Sequence, residues 1–144
     1  MNHKFTDIWL VTNDVLHLRA FYESVFGGTA EGDERHSTMQ VGGLHIVFLL
    51  ERNSDFNYEF SDSGSNTGLS FNVDDTDAEY QRLLSLGIEP HTKPAIHPWG
   101  ARSFQIKDPD GNIINFRSRP KEENDEYHNK TAYPQPRGRL CAFF

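Results

Sequence analysis

At 144 residues the chain suits one domain, or two small halves sharing a core. A formal net charge of −7 argues against nucleic acid, because a phosphate-binding surface wants clustered Lys and Arg. The single cysteine, Cys141, excludes an intrachain disulfide; together with an N-terminus that lacks a signal-peptide core, it points to the cytoplasm, and no apolar run approaches the ~20 residues that span a bilayer.

The first unit, FTDIWLVTND (5–14), is β-branched and aromatic and predicts a strand. A helix follows. Asn13 or Asp14 can cap it, Val15, Leu18, Phe21, Tyr22 and Val25 recur at helical spacing, and Gly27 and Gly28 stop it. A short strand is expected near 28–32. STMQVGGLHIVFLLER then reads as two strands joined by a tight turn at Gly42 and Gly43. Residues 52–66 are dominated by Asn, Ser, Asp and Gly, which predicts a linking loop.

The order then repeats. TGLSFNVDD predicts a strand, and the next helix is capped by Asp74 or Asp75 and closed by Gly87. IEPHTKPAIHP reads as a broken strand, confined to an edge or loop by Pro90, Pro94 and Pro98. ARSFQIKDPDGNIINFRS predicts two strands joined through Asp108–Gly111. Strand, helix and strands thus occur twice, about sixty residues apart. The expected organisation is an α+β domain over 1–118. It has one βαβββ module over about 5–51, a linker over 52–66 and a second module over about 67–118. The two sheets would form a curved mixed sheet around a cleft. Residues 119–144 are polar, charged and Pro-containing and read as a C-terminal arm, whose apolar end LCAFF would dock on a partner surface.

The paired βαβββ layout, FYESVFG at the end of the first helix, PWGARSFQIKDPDGN and the strand after it resemble the vicinal oxygen chelate superfamily. That superfamily holds glyoxalase I, extradiol dioxygenases, fosfomycin-resistance enzymes and bleomycin-resistance proteins. The resemblance covers about residues 5–118, and the PWG segment looks closest to the bleomycin-resistance branch, whose members sequester a drug without transforming it. In the catalytic branches each of four strands supplies one metal ligand. The resemblance puts those positions at Asp7, at Val47 or Phe48, at Gly68 and at Asn115. Only Asp7 is a respectable donor, whereas zinc, iron and manganese want three or four His, Cys or carboxylate ligands. The expectation is therefore no metal, no cofactor and no catalytic residue.

Six residues are candidates for contacting a ligand. Trp99 would be an aromatic plate freed by Gly100, or a tryptophan packed at a strand edge. Asp7 and Trp9 share a strand face, with Asp7 either at an exposed strand start or offering a carboxylate to a cationic or hydrogen-bonding group. Asn115 shares a face with Ile113 and can both donate and accept. Arg102 could pair with Asp7 or a ligand acid, or stay solvated. Phe48 lies in an apolar run where core packing is the stronger reading. Phe56, Tyr58 and Phe60 of the linker read as a surface loop or as an aromatic lid.

The reading that results is a metal-independent small-molecule-binding protein that sequesters an antibiotic or other planar ligand. It is expected to be a homodimer on the family's analogy, with no nucleic acid or membrane partner. The alternative is a metal-dependent lyase, isomerase or dioxygenase of the same superfamily with atypical ligands.

Overall fold

The structure is a computed structural model, and it describes residues 3–53, 58–60, 67–98 and 100–119. Trp99, Phe56 and the C-terminal arm beyond Arg119 lie outside the described residues. The chain forms two compact units. The first comprises residues 1–68 and 107–113, and the second comprises 69–106 and 114–144.

In the first unit, strand β1 (Ile8–Thr12) leads into helix α1 (Val15–Phe26). Asp14 caps the helix by accepting from His17 N, and Gly27 ends it in the left-handed conformation, φ 77°, with its N–H on Glu23 O. The helix buries Val15, Leu18, Tyr22 and Val25 of the stripe that its spacing forecasts, while Phe21 is half-buried. Strands β2 (Glu31–Gly32), β3 (His36–Val41) and β4 (Leu44–Leu50) complete the module. The sheet order is β1-β4-β3-β2. Strand β4 runs parallel to β1, with Trp9 beside Val47, and antiparallel to β3, with Thr38 beside Val47.

One sheet face carries Leu10, Ile46, Phe48 and Met39, all buried, and turns toward α1, where Tyr22 meets Phe48 edge to face at 5.3 Å. The opposite face carries Trp9, Val11, Val47 and Leu49, as alternation requires.

The second unit repeats the order with β5 (Gly68–Asn72), α2 (Thr76–Ser85), β6 (Ala95–Ile96), β7 (Arg102–Lys107) and β8 (Ile113–Ser118), arranged β5-β8-β7-β6. Asp75 caps α2 by accepting from Ala78 N. Tyr80 of that helix lies edge-on to Phe104, and Phe104 stacks on Phe116, which stacks on Phe71. The expected strand over the proline-rich segment shrinks to two exposed residues, because Pro90, Pro94 and Pro98 leave no run of donors for a longer ladder.

The turn between β7 and β8 packs with the first unit rather than with its own strands, so that unit draws on two separated stretches of chain. Asp108, 4 % exposed, is the reason. Its Oδ1 accepts from Asp110 N and Asn112 N, both at 2.9 Å, and its Oδ2 accepts from Asn112 Nδ2 at 2.7 Å and from the Tyr22 hydroxyl at 2.8 Å. DPDGN is therefore more than a turn. One carboxylate closes the loop on itself and ties it to α1. Burial and the charge of Asp108 push the Tyr22 hydroxyl far above its ordinary range, so it stays a donor.

Candidate functional site

The residues singled out in the sequence fall on both units. In the first, Asp7 immediately precedes β1 and Trp9 lies within it. The indole Nε1 of Trp9 donates to Asp7 Oδ1 at 2.7 Å. Trp9 is 43 % exposed and meets Tyr58 edge-on at 5.8 Å. Two aromatic rings inclined at 74°, with a carboxylate fixing one of them, make a corner able to take a flat group by stacking or edge contact. Tyr58 belongs to the linker aromatics, so this part of the linker brings a ring to Trp9.

Phe48 is a correction. It has no exposed surface and points at α1, so no ligand reaches it on the opposite face, where Trp9 stands. The alternation of β4 instead puts Val47 beside Trp9.

Arg102 is a second correction. Its Nε and Nη2 donate to the two carboxylate oxygens of Asp77, each at 2.9 Å, and not to Asp7. Asp77 lies in the first turn of α2, and its carboxyl is held below the usual range by these bonds. Arg102 lines a recess of about 300 Å³ with Asp75, Thr76, Asp77 and Ser118. Thr76 Oγ1 there accepts or donates in a close contact with the Ser118 hydroxyl and lies 3.1 Å from Arg102 O. The recess carries paired charges of both signs, so the Arg102 guanidinium is already spoken for.

Asn115 lies on β8 and donates from Nδ2 to Ser70 Oγ of β5 at 3.0 Å. It sits on the face away from α2, since Phe116 and Ile114 take the buried side. The same face carries Ser103, whose hydroxyl contacts His97 Nε2, and Arg117. Arg117 was missed in the sequence. The alternation that places Ile113 and Asn115 together continues to Arg117, and that was the available signal. Its Nε is enclosed and has no hydrogen-bond partner.

The four positions that the resemblance assigns to a metal have the following chemistry. Asp7 spends one oxygen on Trp9, Val47 is apolar and 6 % exposed, Gly68 has no side chain and Asn115 offers an amide engaged by Ser70. This donor set does not fit a transition metal. Among the described residues no three His, Cys, Asp or Glu side chains converge on one point. No helix among them is long and apolar enough to cross a membrane.

Solved structures share this fold. A glyoxalase/bleomycin resistance protein/dioxygenase from Nocardioides superposes with a TM-score of 0.74 at 21% identity, over 87% of this chain and 89% of that one. A lactoylglutathione lyase from Agrobacterium tumefaciens gives 0.64 at 20% identity, over 81% and 94%. The bleomycin resistance determinant encoded on the transposon Tn5 gives 0.63 at 21% identity, over 81% and 98%. No curated protein matches the chain. The model of the Glyoxalase/Bleomycin resistance protein/Dioxygenase superfamily matches residues 3–116, and the chain, with its two βαβββ modules, belongs to that superfamily.

Proposed function

We propose that this chain is a small-molecule-binding protein that holds its ligand without a metal and without transforming it. The observation that carries the reading is the replacement of ion-holding side chains. Where relatives place four donors, this chain has one carboxylate hydrogen-bonded to an indole, an aliphatic side chain, a glycine and an amide. What stands near the first of those positions is an aromatic corner, Trp9 against Tyr58. Such a corner favours a planar ligand, an antibiotic among the candidates. One solved structure of the same fold is a bleomycin resistance determinant, which supports the sequestering branch, and another is a lyase, which keeps the enzyme branch as the outcome to be tested against. Residue 99 completes the proposal as a second aromatic plate, and a homodimer is its expected assembly.

The test is a thermal-shift screen of planar antibiotics and metabolites on protein purified without chelator, with and without zinc or manganese, alongside metal analysis. The expected result is a ligand-dependent rise in Tm that added metal leaves unchanged, and far less than one metal per chain. Stoichiometric, tightly held zinc, iron or manganese would replace this reading with the enzyme.

A further inference from the structure

Arg117 is an arginine in a place where an arginine should not be comfortable. Its residue surface is only partly exposed, its Nε is enclosed, and neither a carboxylate nor a carbonyl meets it. An enclosed N–H donor without an acceptor is costly, and proteins keep such donors hydrogen-bonded.

The surroundings can be read from the backbone. Strand β8 runs parallel to β5, since Ile113 N donates to Thr67 O and Val73 N donates to Arg117 O. In the first module the equivalent bond, Glu51 N to Thr12 O, accompanies the pairing of Thr12 with Leu50. The same pattern pairs Arg117 with Asn72, and it pairs Asn115 with Ser70, whose side chains are bonded. On the other side, the turn closes with Asp108 N on Asn112 O, and counting outward along two strands of equal length brings Ser103 opposite Arg117. Ser103 is held to His97. Within the second unit, the strand positions on this face are Ser70 and Asn72, then Asn115 and Arg117, then Ser103 and Gln105. They include one cation, several hydroxyl and amide groups and no carboxylate, in a chain whose net charge is −7.

We infer that this face of the second module binds the oxyanion of an acidic small molecule, with Arg117 as the anchoring residue and Asn72 and Ser103 flanking it. The inference rests on the ligand-binding reading above and deepens it by naming an acidic group on the ligand. A guanidinium matches two oxygens at once, so a carboxylate or a phosphate would seat side-on against it, with the exposed Asn72 amide as a donor to a remaining lone pair.

The test uses the full chain, with benzoate and inorganic phosphate as the acidic probes and benzamide as a neutral look-alike. Wild type is expected to gain Tm with benzoate or phosphate and not with benzamide; which of the two acts identifies the source of the oxyanion. In R117M the acidic response should weaken by at least about ten-fold in affinity. The Tm of R117M without ligand should equal or exceed that of wild type, because the variant removes an enclosed donor that has no acceptor. A merely structural arginine would give the opposite, a lower Tm. Should R117M not fold, the Nε–H resonance of Arg117 in the wild-type protein gives the same answer, moving with benzoate or phosphate but not with benzamide. Retention of the acidic response in R117M, a marked fall in its Tm, or an Nε–H signal indifferent to both acids would overturn the inference. If benzamide and planar neutral compounds shift wild type and R117M alike while the acids do nothing, the oxyanion site is wrong and the ligand-binding reading stands. If nothing shifts either protein, both fail.

Discussion

At the residue scale the most consequential group is Asp108, because one buried carboxylate accepts four hydrogen bonds, including the Tyr22 hydroxyl contributed from 86 positions away. Replacing Tyr22 by Phe keeps the ring against Phe48 and removes only the hydroxyl. Y22F should destabilise the protein by about 1–3 kcal/mol in urea unfolding, since a buried oxygen loses a donor. Asp110, two residues on, behaves differently. Desolvation raises its carboxyl above the ordinary range, reinforced by the charges of Asp108 and Asp14 and opposed by the Thr12 hydroxyl and by His17. A carboxyl raised in the folded state favours folding while it is protonated, and that contribution fades as pH climbs through the raised value. D110N should therefore flatten the loss of stability on going from acid toward neutral pH, read from urea midpoints at stepped pH. A steeper loss in the variant would contradict the assignment. Phe48 supplies a control for the site. F48A should cost about 3–5 kcal/mol of stability. Ligand affinity of the folded fraction should be unchanged, because the ring faces α1.

At the element scale, turns and caps set the boundaries, and two glycines separate two kinds of constraint. Gly42 has φ 59° with open space where a Cβ would stand, so G42A meets only the left-handed backbone penalty of about 1 kcal/mol. Gly32 has φ 117°, and a Cβ there would sit 2.2 Å from His36 O, a backbone atom that cannot swing aside. G32A should lower Tm more than G42A, and equal losses would show that the β2–β3 hairpin yields at little cost. Much of this scale was legible in the sequence. Asp14, Asp75, Gly27 and the doubled glycine at 42–43 act through neighbours in the chain, and the apolar stripe of α1 needs only the helical period. Contacts that join distant elements were not legible. Arg102 finds Asp77 25 residues away on α2, and no local pattern distinguishes that partner from Asp7. Phe48 and Val47 are equally apolar, so only the sheet register says which of them faces the helix. Nothing local in the sequence marks Arg117, because the enclosure of its Nε comes from neighbouring strands.

At the scale of the whole molecule, duplication of one βαβββ plan has produced two sheets whose faces away from the helices differ. The first carries Trp9, Val11, Val47 and Leu49, and the second carries Ser70, Asn72, Asn115 and Arg117. The same scaffold thus carries aromatic and aliphatic side chains on one of these faces and polar ones on the other, a division that side chains alone created. The route of the chain between the halves adds a prediction. It leaves the second unit at Lys107 and re-enters it at Ile114, so the first unit cannot be complete before the chain has been made to Ile113. Calorimetry should show one cooperative transition with matching calorimetric and van't Hoff enthalpies, and two resolved peaks would mean that the halves melt independently.

Anyone wishing to dissect this protein should therefore not cut its gene in the middle. A fragment stopping at Gly68 would be translated with the Tyr22 phenol deprived of its acceptor, while the complementary fragment would display a DPDGN knuckle with its carboxylate stripped of that donor. Complementation of the two pieces in one cell, with each insoluble when made alone, is the behaviour this threading leads one to anticipate.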